Sequence, residues 1–240
     1  MQLLGEGGTE AYYNNAILLT GLTGLITMIP CLYLYKKDRR ARIAGGLVTG
    51  QKPNRLSIGE CGLILVMGAG FAHFANMFVN MIGSFLNAEE YQETMSQLTD
   101  GKSMFFLIVC MGIIAPLAEE IVFRWLIYLR LRDYMRSGEA IVISGLFFGI
   151  YHGNLVQGVY ASILGCLFAY FLEQTGSLWT SVLLHMGANI WSLVLPELAA
   201  WLLDRYPMGI AVMLVLLLTG MCAGISYFRN RTDTEQRRII

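Results

Sequence analysis

Two adjacent carboxylates stand in the run Ala115-Pro-Leu-Ala-Glu-Glu-Ile-Val-Phe-Arg124, with apolar sequence on both sides. Further along, His152 follows Phe148 by four residues, and Asn189 follows His185 by four. A central charge in hydrocarbon costs about 2.5–3.5 kcal/mol on insertion scales, so such residues invite a functional reading. Glu120 and Arg124 are four apart, share a helix face and can neutralise one another. Glu119 lies about 100° further round the helix. It keeps no local partner and is the carboxylate available as general base or metal ligand. Pro116, one turn earlier, removes a backbone donor, which can kink the helix and open carbonyls beside the glutamates. The Phe148 ring can pack on His152 and fix its orientation. His185 and Asn189 share one face, where an imidazole and a carboxamide can orient a water or donate to a tetrahedral oxyanion. Together these groups can activate water for peptide hydrolysis, with Glu119 taking the proton. With a metal, Glu119, His152 and His185 would make a His₂Glu zinc site with an open position.

The elements that must position these residues are membrane helices. The chain has 240 residues, 55% of them hydrophobic, and apolar runs of roughly 20 residues suffice to cross about 30 Å of hydrocarbon. The pattern predicts an all-α polytopic transmembrane bundle of about seven spans, near 12–35, 57–86, 103–130, 140–155, 157–173, 177–196 and 208–228. Glycines such as Gly68, Gly70, Gly145 and Gly149 suit close helix packing. Fourteen of the 17 basic residues fall after the first, third and seventh spans: Lys36, Lys37, Arg39, Arg40, Arg42, Lys52 and Arg55; Arg130, Arg132 and Arg136; Arg229, Arg231, Arg237 and Arg238. The other loops carry Glu6, Glu10, Glu89, Glu90, Glu93 and Asp100. The positive-inside rule then places the N-terminus outside and the C-terminus in the cytoplasm of a multi-pass cell-membrane protein. Tyr12, Tyr13, Trp179, Trp201 and Tyr206 stand near span ends as interface anchors. On this layout Glu119, His152 and His185 lie roughly 16, 18 and 12 Å from the cytoplasmic end, at similar depth.

Other readings are weaker. The formal net charge of zero gives no sign of nucleic acid binding. Cys31, Cys61, Cys110, Cys166 and Cys222 all lie in apolar runs without CxxC pairing and read as small buried hydrophobes. The N-terminus lacks a basic segment before its first apolar run and does not read as a cleaved signal peptide. His73, near Asn76 and Asn80 with no carboxylate nearby in sequence, reads as a structural hydrogen-bonder. There is no HExxH motif, no GxSxG elbow, and no aspartate in a central span for a two-aspartate protease. The chain divides into a two-span segment with a basic cytoplasmic loop (1–102), a catalytic core (103–196), and a last span with a basic tail (197–240).

The three motifs Glu119-Glu120-Ile-Val-Phe-Arg124, Phe148-Gly-Ile-Tyr-His152 and His185-Met-Gly-Ala-Asn189, in that order in separate apolar spans, resemble the CAAX prenyl protease and bacteriocin-processing family of intramembrane proteases. The likeness covers roughly residues 103–196. It implies a helical bundle with endopeptidase activity, catalysis carried by the positions matching Glu119, His152, His185 and Asn189, and support from Glu120 and Arg124. Both a zinc-dependent and a metal-free, glutamate-activated water are implied forms of the chemistry. The expected partners are a peptide or membrane-associated protein substrate and the lipid bilayer. Two further function classes stand beside the enzyme: a non-catalytic bacteriocin-immunity or adaptor protein that retains the fold, and an ion-coupled transporter, which the lack of an inverted repeat disfavours.

Overall fold

The computed structural model describes residues 5–48, 55–81 and 88–230. Lys52, Arg231, Arg237 and Arg238 lie outside these, as does the expected second span beyond Met81, and the side chains of Glu6, Glu10, Glu89 and Glu90 are likewise not described. Eight helices make up the described bundle: α1 (Gly5–Ala44), α2 (Ile58–Met81), α3 (Ala88–Thr99), α4 (Met104–Leu131), α5 (Ser137–Tyr151), α6 (Leu155–Thr175), α7 (Leu178–Arg205) and α8 (Pro207–Asn230). Six of them, α1, α2, α4, α6, α7 and α8, are long and apolar enough to cross a membrane. The protein is thus a multi-pass membrane bundle.

The expected fourth span needs correction. α5 has 15 residues and rises about 22 Å, short of the roughly 30 Å hydrocarbon core. It ends at Tyr151 because Gly153 takes the left-handed conformation (φ 66°) that glycine enters without penalty. Asn154 then starts α6 as an N-cap, its side chain accepting from the Gln157 amide at 3.1 Å, which satisfies an otherwise orphaned donor. His152 therefore sits in a tight turn at the end of α5, not inside a full-length span.

α4 is the helix that carries the glutamates, and its winding is uneven. Wide π-type turns cover Ile108–Ile114 and Ile121–Tyr128, flanking an α-helical segment from Ala115 to Glu120. Pro116 lies at the start of that segment and has no amide hydrogen to give. The Ala115 amide bonds back five residues to the Cys110 carbonyl, so in this register the Met111 carbonyl is the one that Pro116 leaves without a backbone donor. The proline's effect is a change of winding, which re-aims the side chains that follow.

Glycines set the close contacts that fix α7 against α2 and α5 against α6. Gly68 on α2 faces the Leu184 backbone on α7, and Gly187 on α7 faces the Leu65 backbone on α2, so a side chain at either would meet main chain. Gly145 and Gly149 on α5 stand in the same way against Ser162, Cys166 and Gly158 on α6. Such small-residue contacts let membrane helices approach where apolar burial alone gives no preference for protein over lipid. The core between them holds Ile64, Met67, Phe71, Leu164, Phe168 and Leu184 on the α2/α6/α7 side. Ile121, Trp125, Tyr128, Leu172 and Val182 fill the α4/α6/α7 side. Cys110 is buried and Cys31, Cys61 and Cys166 are partly so, but Cys222 is exposed on α8, contrary to the buried reading. Tyr12, Trp179, Trp201 and Tyr206 are exposed, as interface anchors must be.

Candidate active site

A cavity of about 250 Å³ is lined by Met111, Ala115 and Glu119 of α4, Phe148 and His152 at the end of α5, Tyr160 and Phe168 of α6, and His185 and Asn189 of α7. Tyr12, Ala16 and Ile17 of α1 and Met95 and Leu98 of α3 close its far side. All four side chains that the sequence marks as chemically able therefore face one space, from two helices and one turn.

His185 is held at one ring nitrogen and faces a carboxylate with the other. Its Nδ1 lies 3.0 Å from Glu120 Oε1, and a carboxylate in an ion-paired cluster accepts, so Nδ1 carries the hydrogen and Nε2 is the free face. That Nε2 lies 3.7 Å from Glu119 Oε2, too long for a hydrogen bond but close enough for both to address one small group. His152 is oriented in the same way by a different acceptor. Its Nδ1 lies 2.8 Å from the Phe148 carbonyl, which can only accept, so its Nε2 also presents a lone pair. The Phe148 ring stands edge-on to both imidazoles, at 4.9 Å from His152 and 5.3 Å from His185 between centroids, and Phe168 stacks on His185 at 5.1 Å.

Behind these rings lies a fully buried charge pair. Arg124 Nε is 3.2 Å from Glu120 Oε2, close enough for Coulomb attraction though not aligned as a hydrogen bond. The guanidinium also sits over the Phe148 ring at 4.5 Å and the Phe168 ring at 5.6 Å, which favours the cation in the absence of water. Glu120 is therefore shared: one oxygen neutralises Arg124 and the other anchors His185. Sequence spacing shows only the first of these, because the second depends on α7 packing against α4.

Asn189 reaches across to α4, its Nδ2 donating to the Met111 carbonyl at 2.9 Å. This is the carbonyl that Pro116 leaves without a backbone donor. The carboxamide keeps a second N–H and its own oxygen for other partners. The reading of Asn189 as a companion of His185 alone therefore misses a link to α4. Pro116, five residues after Met111, is the signal in the sequence that could have found it. His73 does not line the cavity; its ring packs against Phe74 at 5.6 Å and Trp191 at 6.0 Å.

Fold and site together define a multi-pass helical membrane protein with a cluster of glutamate, histidine and asparagine side chains between its helices. A family model described as "Type II CAAX prenyl endopeptidase Rce1-like" matches residues 101–191. That stretch contains all three motifs, and the resemblance read from them is borne out over it. The "Putative membrane peptidase YdiL" of Bacillus subtilis (strain 168) is 26% identical over 193 residues, covering 80% of this chain and 78% of that protein. No solved structure matches the chain. The match and the relative support a peptidase-like membrane protein.

Proposed function

We propose that the protein is an intramembrane endopeptidase in which Glu119 activates the attacking water. The observation that carries this reading is the Glu119 carboxylate facing His185 Nε2 at 3.7 Å in a cavity that His152 and Asn189 also line. Glu119 takes a proton as the water oxygen bonds to the scissile carbonyl carbon. In this reading the second amide hydrogen of Asn189 donates to the oxyanion that develops. Collapse of the tetrahedral species breaks the C–N bond, and Glu119 returns its proton to the leaving nitrogen. The products are a carboxylic acid and an amine. His185 steers the water through Nε2, and Glu120 holds that ring in place.

The donor types also suit a zinc ion, although among the described residues the three groups are not drawn together as a metal cluster. Two neutral imidazoles present Nε2 while their Nδ1 hydrogens are held by Glu120 and by the Phe148 carbonyl, which is the outer-shell pattern of metal-binding histidines. Glu119, His152 and His185 would hold the ion, and it would supply Lewis acidity to a bound water. Metal content of the purified protein, with chelator sensitivity of cleavage, separates the two forms.

The probe for both is a quenched-fluorescent peptide ending in a prenylated Cys-aliphatic-aliphatic-X sequence, chosen from the family match. Glu119→Gln is expected to lower kcat by about 10²–10⁴-fold while the folded yield is unchanged. Undiminished turnover in Glu119→Gln refutes the reading and favours a non-catalytic partner that keeps the fold. The orientation with the basic ends in the cytoplasm is part of the proposal, and it places the reaction nearer the cytoplasmic leaflet.

A further inference from the structure

A second cavity, of about 420 Å³, lies between α1 and the α4/α5 pair and meets the first at Glu119. We propose that it is a docking groove for an extended stretch of polypeptide, held by the threonine hydroxyls of α1. The occupant's identity as substrate rests on the hydrolytic reading above. Thr20, Thr23 and Thr27 line one wall, with Glu119, Phe123 and Tyr151 opposite. The volume falls within the roughly 300–1,000 Å³ of ordinary ligand clefts.

The threonines lie within about 60° of one another round the helix, whereas exposed Leu22, Leu25 and Ile29 point the opposite way, as lipid-facing residues should. All three hydroxyl-bearing residues are exposed rather than buried in the bundle. Their chemistry selects the occupant. Thr23 Oγ1 gives its hydrogen to the Leu19 carbonyl at 2.7 Å, so towards the groove it offers lone pairs. Thr20 and Thr27 carry hydroxyls that can accept as well as donate, so the whole wall can receive donors, and a lipid acyl chain has none. An intact helix has none either, since its amides are bonded internally. An unwound peptide does. Along one edge of an extended chain the N–H groups repeat about every 6.8 Å, while Thr23 and Thr27 are separated by a rise of about 6 Å. The groove thus suits a strand laid along α1 with its cleavable bond at the Glu119 end, and a helical substrate must unwind to enter it.

The test uses the full-length protein in nanodiscs and the prenylated quenched peptide, with a benzophenone-bearing copy for cross-linking. The double variant Thr23→Val/Thr27→Val is expected to raise KM about fivefold or more, the loss of two hydrogen bonds, with kcat little changed. Thr23→Ser/Thr27→Ser should restore the wild-type KM. Cross-links in Glu119→Gln protein should map to residues 20–27 and disappear in the valine variant. An unchanged KM, or cross-links that map elsewhere, overturns the groove even if cleavage is normal. Cross-linking at α1 without any cleavage by wild-type protein leaves the groove standing and sinks the hydrolytic reading. A peptide that is neither bound nor cut counts against both.

Discussion

Glu120 is the residue whose removal tells most about the site, because it serves two partners at once. Glu120 and Arg124 are both fully buried, and taking one charge from a buried pair costs about 3–5 kcal/mol since the other is left uncompensated. Glu120→Gln is therefore expected to destabilise the protein strongly, read as a lower midpoint of thermal unfolding in detergent. Replacing both charges by Glu120→Gln/Arg124→Met removes the orphan and should return much of that loss. Activity should not follow. A glutamine oxygen can still accept from His185 Nδ1, but it no longer places a negative charge behind the ring. Loss of such outer-shell support costs about 10–100-fold. Recovery of both stability and turnover in the double variant would show that Glu120 matters only as the counter-ion of Arg124. Spacing in the sequence exposes the Glu120–Arg124 half of this arrangement. The His185 half is invisible there, since residues 65 positions apart meet only once the helices pack.

At the scale of the element, α4 and α7 are tied by an exchange of backbone and side-chain hydrogen bonding. Pro116 deprives Met111 of a backbone donor and Asn189 supplies one at 2.9 Å. Asn189→Ala should thus cost about 1–3 kcal/mol, the penalty of leaving a part-buried acceptor unmade. Pro116→Ala offers a main-chain N–H in its place, so the same Asn189→Ala change should cost less in that background. A double-mutant cycle on unfolding free energy is expected to give a coupling of about 0.5–3 kcal/mol, and strict additivity would break the link. The sequence shows where α4 must be interrupted, because proline's missing donor is a property of one residue. It does not show that the response is a wider turn rather than a kink, because that depends on a partner from α7. The same limit explains α5. Its apolar pattern runs on past Tyr151, but Gly153 and the Asn154 cap end the helix there, and a periodicity count does not register a two-residue stop.

For the whole molecule, side-chain contacts gather the basic helix ends at one end of the bundle. Arg42 at the end of α1 makes a bidentate pair with Asp133 just beyond α4, at 2.8–3.0 Å, and Arg130 pairs with Asp38. Arg132 binds Glu173 near the end of α6 at 2.7 Å, and Tyr227 near the end of α8 donates to Glu60 at the start of α2 at 3.2 Å. At the other end Lys102 reaches the Tyr13 carbonyl. These pairings put the C-terminal ends of α1 and α8 on the same side, which requires an even number of crossings between them; the five long helices α2, α4, α6, α7 and α8 supply five, so the short α5 must turn the chain round as a full span would. The sorting of charge was legible in the sequence, while the use of those charges as ties between helix ends was not. If the basic end faces the cytoplasm, as lysine and arginine retention on that side demands, a single cysteine placed there should be blocked by an impermeant maleimide only in inside-out vesicles. Arg136→Cys is suited to this, since Arg136 is exposed at the start of α5 and its backbone amide, which the substitution keeps, donates to Glu139 at 3.1 Å. Lys102→Cys should show the reverse, reacting in right-side-out cells. Both need a background in which exposed Cys222 is replaced by serine. Labelling of Arg136→Cys from outside would invert the bundle and move the Glu119 end of the threonine groove to the opposite leaflet, and a substrate presented from the cytoplasm could not then reach it.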